Sequence, residues 1–193
     1  MPKTEIFNRQ IVIDQATEVF HRKGYHATSM QDLVDATGLN RSSIYNSFEN
    51  KQSLFLLCLK NYSGRYTRAN VQSTLSNAST IKVIESIFNL YIQEICNDKD
   101  GKGCLIVNCK SEMANKDKAI NNFLIAHQND TLAFLEDVVI LGQAKDDINT
   151  SRSAKDYALY LFSSLQGLRM TGILISDRAK LQTIVQNILS TLM

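Results

Sequence analysis

The chain has 193 residues, only one of them Pro and eight of them Gly, and a formal net charge of +2. Pro breaks helix interiors and punctuates loops, so its near-absence points to long helices with short connections. A charge this small excludes any partner held by overall basicity alone: through residue 51, six Lys and Arg offset six Asp and Glu.

The longest apolar run, residues 54–59, falls far short of the ~20 residues of a membrane span. The opening Met-Pro-Lys-Thr-Glu does not read as a signal peptide. The expected location is therefore cytoplasmic, with no membrane partner, and Cys58, Cys96, Cys104 and Cys109 are expected to be reduced. None of them has CxxC spacing and the three His are scattered, so neither a metal site nor a cofactor is expected. No paired carboxylates or nucleophile–base arrangement suggests an enzyme.

In chain order, Val12, Ile13, Ala16, Val19 and Phe20 mark one face of a first helix, which Lys23-Gly24 ends. Thr28 or Ser29 caps a short second helix carrying Met30, Leu33 and Val34. Thr37-Gly38-Leu39 is a tight turn. Asn40 caps a third helix, with Ile44, Tyr45 and Phe48 inward or at the edge. Asn50 caps a fourth, carrying Leu54, Phe55, Cys58, Leu59 and Tyr62. Further helices are expected near 80–97, 104–114, 117–142, 153–175 and 178–192, about nine in all. Residues 98–103 form the clearest loop, and 146–150, with Asp146-Asp147, read as a second, solvated one. The pattern is all-α: an N-terminal three-helix helix-turn-helix domain, 1–52, joined to a larger helical domain, 53–193.

The third helix is the candidate reading element. Its ~13 Å length suits a major groove about 12 Å wide. Its outward residues would be Asn40, Arg41, Ser42, Ser43 and Asn46, which are short donors and acceptors plus one Arg. Thr28, Ser29, Tyr45 and Lys51 are placed to touch phosphates on either side, and the helix starts at Thr28, Asn40 and Asn50 add N–H groups aimed at anions.

These residues carry a resemblance. Gly24-Tyr25-His26-Ala27-Thr28-Ser29-Met30-Gln31-Asp32-Leu33-Val34, then Thr37-Gly38-Leu39-Asn40-Arg41-Ser42-Ser43-Ile44-Tyr45-Asn46-Ser47-Phe48, then Asn50-Lys51-Gln52-Ser53-Leu54-Phe55, resembles the DNA-binding signature of the TetR/AcrR family. The resemblance implies phosphate contacts from Thr28 and Ser29, base or backbone contacts from Asn40, Arg41, Ser42 and Ser43, and Tyr45 against a phosphate and its sugar. It implies that Lys51 pins the DNA backbone. Two positions depart from it: Asn46 stands where His is common, and Ser47 where an aromatic is. Asn46 can still bond a phosphate or pair with adenine. Ser47 removes bulk at that end.

The same resemblance implies a regulator, most simply a repressor, that binds a palindromic operator as a homodimer. It implies pairing through the last two helices and a pocket for a small-molecule effector among the others. Ser163, Gly167 and Gly172 would leave room for close approach of a partner helix. Leu181, Ile184, Val185, Ile188, Leu189 and Leu192 form an apolar stripe that would be divided between dimer seam and core. Pocket candidates are Tyr62, Tyr91, Cys104, Phe123, His127 and Gln166, with Phe88, Met113 and Phe134 beside them.

Gly103-Cys104-Leu105 also resembles one branch of the family that includes electrophile-responsive repressors. Cys104, at a helix start and beside Lys102, would be either a reactive thiol sensor or a small buried residue at a tight start. The alternative to a regulator is a helical small-molecule-binding protein or enzyme that has lost DNA binding.

Overall fold

Residues 7–64 and 79–193 are described in the computed structural model. Among them the backbone forms nine helices and no strand. These are α1 (Arg9–Ala27), α2 (Met30–Thr37), α3 (Arg41–Phe48), α4 (Lys51–Ser63), α5 (Thr80–Asn97), α6 (Leu105–Met113), α7 (Lys118–Ala144), α8 (Ala154–Thr171) and α9 (Arg178–Ser190).

The first four helices each open on a side chain that accepts from its own first turn. Asn8 takes the Gln10 and Ile11 N–H groups, Ser29 that of Asp32, Asn40 that of Ser43 and Asn50 that of Ser53. Each such cap satisfies an otherwise orphaned donor and stabilises its helix by ~1 kcal/mol. Gly24 leaves helical conformation at φ 78° and ψ 173°, where the Lys23-Gly24 signal places the stop, and residues 25–27 add one further turn. Gly38, at φ 67°, turns the chain from α2 into α3.

The helices pack as two units, and the division is not the one after residue 52. The first comprises 7–64 together with 104–124, the second 79–103 together with 125–193. In the first, Val12, Ala16, Val19 and Phe20 of α1 meet Leu54, Phe55, Cys58 and Leu59 of α4, and Leu105, Ile106, Cys109 and Met113 of α6 join the same core. Phe20 stacks at a tilt on Phe55, ring centres 4.7 Å apart. The head that carries the helix-turn-helix is thus completed by α6, which joins the core of α1–α4 only after α5 has intervened in the chain.

In the second unit α5, α8, α9 and the later turns of α7 share a core around Ile84, Phe88, Ile92, Val139, Leu161, Leu165 and Val185. The loop after α7 is not simply solvated. Asp147 accepts the Thr80 N–H at 2.7 Å, which caps α5 from outside, since Ser79 makes no side-chain cap bond. Asn149 donates its N–H to the Leu192 carbonyl at 2.8 Å, and its side-chain oxygen accepts from the Tyr157 hydroxyl of α8 at 2.6 Å.

Two expectations about the last helices change. The α9 stripe faces its own core: Leu181, Val185, Ile188, Leu189 and Leu192 are buried and Ile184 half-buried, leaving Gln182, Thr183, Gln186 and Asn187 outside. Gly172 leaves no room for a partner either. A Cβ there would lie 2.6 Å from Ile95 Cδ1 of the same unit, so the missing side chain admits α5. What α8 does present outward is Leu159 (55% exposed), Tyr160, Ser163, Gly167 and Met170 (49% exposed). No helix of the described residues is long and apolar enough to cross a membrane.

Candidate nucleic-acid interface

The third helix shows how a short segment is held by one face and left open on the other. Ile44 and Phe48 are buried, four residues apart on the inward face. Arg41, Ser42, Tyr45 and Asn46 are exposed and Ser43 half-buried, with Tyr45 at 47% the most accessible aromatic of the unit. Asn40 is exposed, and its side-chain oxygen accepts the Ser43 N–H at 2.8 Å. Tyr45 therefore lies on the outer face, not inward.

Neighbouring helices hold α3 at both ends. Arg41 Nη2 donates to Gln31 Oε1 at 3.3 Å, and Gln31 Nε2 donates to Asp35 Oδ1 at 2.7 Å, so the guanidinium is steadied from α2. At the far end Arg9 Nη1 donates to the Ser47 carbonyl at 3.0 Å, its guanidinium 4.4 Å from the Phe48 ring centre. A cation at the carbonyl end of a helix also complements its dipole. Glu49, at φ 66° and ψ −56°, then makes a γ-turn, with the Asn50 N–H donating to the Phe48 carbonyl at 2.7 Å. That turn is strained for a residue with a Cβ. It lets the α4 cap follow α3 with a single residue between them.

The start of α2 is a reciprocal capping box. Ser29 Oγ accepts the Asp32 N–H while Asp32 accepts the Ser29 N–H at 2.8 Å. Lys23 Nζ, 2.7 Å from Asp32, and the two Ser29 donors hold the Asp32 carboxyl down to about 2. Thr28 differs from its assigned role. Its side chain is 1% exposed and its hydroxyl donates to the Gly24 carbonyl at 2.6 Å, so it shapes the entry to α2 from within. Lys51 is also more committed than a plain phosphate ligand. Its Nζ donates to the Thr28 carbonyl at 2.6 Å and lies 4.4 Å from the Tyr25 ring centre, and burial lowers its affinity for a proton.

The pocket candidates divide between the two units. Tyr62 is buried and meets His21 edge-on at 5.4 Å, Cys104 is the N-cap of α6, and Phe123 packs on the first core. Tyr91, His127 and Gln166 belong to the second unit and are half-buried. There the Arg169 guanidinium stacks 3.8 Å from the Tyr91 ring centre, with Glu94 3.3 Å from it. Phe88 is fully buried core and Phe134 packs against it; Met113 belongs to the first core. Cys104 is 5% exposed and its thiol makes no cap bond, which favours a packing role. Burial pushes the Cys58 and Cys109 thiols up to about 12.

Arg9, Gln31 and Glu112 are the residues missed from sequence. Glu112 accepts the Tyr25 and His26 N–H groups across 87 and 86 residues, a pairing with no local signature. The break at Gly24 announces that free N–H groups follow it, but not where their acceptor lies.

Comparison with known proteins agrees with this geometry. Residues 12–58 match the N-terminal model described as bacterial regulatory proteins, tetR family. Residues 81–188, more than half of the chain, match the tetracyclin repressor-like C-terminal domain. The uncharacterized HTH-type transcriptional regulator YezE of Bacillus subtilis is 28% identical over the whole of both chains. The HTH-type transcriptional repressor ComR of Escherichia coli is 26% identical, over 95% of this chain and 87% of its own. Among solved structures, the TetR family regulator CifR, a cysteine mutant complexed with 26-bp operator DNA, superposes with a TM-score of 0.86 at 20% identity, covering 99% of this chain and all of its own. A buried inner face, an open polar outer face and family matches to both parts of the chain lead to one conclusion: this protein belongs to the TetR family and is a DNA-binding transcriptional regulator.

Proposed function

We propose that the protein is a repressor that binds a palindromic operator as a homodimer and leaves it when a small molecule binds its C-terminal helices. The observation that carries this reading is the outer face of α3, where Arg41, Ser42, Tyr45 and Asn46 stand clear of the core. Ser29, Asn40 and Ser43 would add contacts to the DNA, Lys51 a positive charge, and Thr28 the shape of the α2 entry. So small a head makes few contacts, and useful affinity needs two of them on half-sites about one DNA turn apart. The outward α8 residues Leu159, Tyr160, Ser163, Gly167 and Met170 supply an apolar face with small residues for that pairing. The sign of control follows the repressor ComR.

Release by an effector requires different affinities for the DNA-competent and incompetent conformers, and DNA then weakens effector binding by the same factor. Of the pocket candidates, Tyr91, His127 and Gln166 belong to the second unit and are the effector contacts this reading keeps.

The test uses the duplex that the wild-type protein enriches from a random-sequence pool. Arg41→Ala and Tyr45→Ala should each weaken binding to it about tenfold or more, while melting and helix content stay as in wild type because both side chains are exposed. Wild-type affinity in both variants would show that α3 is not the reading helix.

A further inference from the structure

Just beyond the break at Gly24, one carboxylate takes the N–H groups of both Tyr25 and His26. Glu112 Oε2 accepts from Tyr25 at 2.8 Å and Oε1 accepts from His26 at 2.6 Å. Gly24 is needed twice for this. Its φ of 78° disfavours any side chain, and a Cβ there would lie 3.0 Å from Glu112 Oε2. Charge-assisted bonds to a carboxylate are about twice as strong as neutral ones.

The segment so gripped leads directly into the DNA-facing elements. Thr28 Oγ1 donates to the Gly24 carbonyl at 2.6 Å, and Lys51 Nζ donates to the Thr28 carbonyl at 2.6 Å. Next along α4, Gln52 Nε2 donates to Asp117 Oδ2 at 2.5 Å, while Asp117 Oδ1 takes the Ile120 N–H at the start of α7. Two carboxylates, at the end of α6 and the start of α7, thereby hold the entries of α2 and α4 from behind. Asp117 and Glu112 also raise the Tyr25 phenol pKa, beyond the larger effect of its burial.

We propose that Glu112 is a positioning residue for DNA binding: its carboxylate, through the Tyr25 and His26 N–H groups, sets the pose in which Ser29 and the first turn of α2 meet the phosphates. The proposal rests on the DNA-reading assignment above. Substitution Glu112→Gln removes one of the two acceptors and turns an amide N–H₂ toward a backbone N–H. Gly24→Ala attacks the same contact from the other side.

The test measures both variants and the wild type on the enriched duplex and on a scrambled duplex of equal length, across a salt series. Each protein is measured at a temperature where its melting curve shows it folded. We expect about tenfold weaker binding of the enriched duplex by both variants and a salt slope shallower by about one phosphate contact or more. Faster amide exchange at Tyr25 and His26 should accompany this. Wild-type affinity and slope in folded Glu112→Gln protein would overturn the proposal. So would a Glu112→Gln chain that folds at no temperature, because the residue would then be a strut of the fold. If wild-type protein enriches no sequence, the DNA-reading assignment itself fails, and this inference with it.

Discussion

The same one-methyl change at two positions of the α8 segment should have opposite effects. Gly167 lies in the helix on its outward face, and a Cβ built there meets nothing within 4 Å. Replacing Gly by Ala inside a helix gains about 0.8–1 kcal/mol, so Gly167→Ala should stabilise the protomer fold and raise its melting temperature by about 2–4 °C. Gly172 caps the same helix, where a Cβ would stand 2.6, 2.7 and 2.8 Å from three atoms of Ile95. The whole Ile95 side chain must move, and such overpacking costs about 1–3 kcal/mol. Gly172→Ala should therefore lower the melting temperature without touching an outer surface. The proposed homodimer adds a third effect. If α8 helices cross at Gly167, the added methyl forces them apart and weakens association about tenfold or more. Sedimentation equilibrium measures that constant, and thermal melting at low protein concentration measures the protomer term. Undiminished association of Gly167→Ala would refute α8 as the seam. Wild-type stability of Gly172→Ala would refute the account of Gly172 as a packing glycine.

Two further outcomes follow from the first unit. The Asp32 carboxyl is depressed to about 2 by Lys23 and the Ser29 donors, so its contribution is fully present above its ordinary value near 4 and is lost as pH falls through 2. Asp32→Asn should melt below wild type at pH 7, with the gap closing between about pH 4 and pH 2; a gap unchanged across that window would show that the charge is not its source. In a thiol titration of the native protein, half-buried Cys96 should react first, and Cys58, Cys104 and Cys109 only on unfolding, because all three are buried. A fast-reacting thiol persisting in Cys96→Ser would be assigned to Cys104 and would restore the sensor alternative.

Local signals in this chain were legible because they are local. Asn40 and Asn50 cap the helices they precede, Gly24 breaks α1 and Gly38 ends α2, and the spacing of Ile44 and Phe48 decides which face of α3 is open. Capping, glycine stops and helical periodicity act within a turn or two, so they survive in a linear reading. Where partners lie far apart, the same residues misled. Thr28 and Ser29 are equivalent as cap candidates, and only the carbonyl of Gly24 turns the first inward. Lys51 looks like a solvent-facing charge until the Thr28 carbonyl and the Tyr25 ring are brought beside it.

The apolar stripe of α9 has the same composition whether it faces a partner or its own core, and Gly172 is equally small against either. Composition and period determine that a helix has a buried face. Which surface buries it depends on the packing of α5 and α8 against α9, and that is decided only in three dimensions. The sequence by itself determined an all-α pattern and a candidate reading helix that begins at the Asn40 cap and runs to Phe48. Tertiary structure alone decided what supports that helix, namely Arg9 and Gln31, and what grips the entry to α2, the α6 carboxylate of Glu112, because hydrogen bonds across 10 to 87 residues leave no periodic mark in a linear chain.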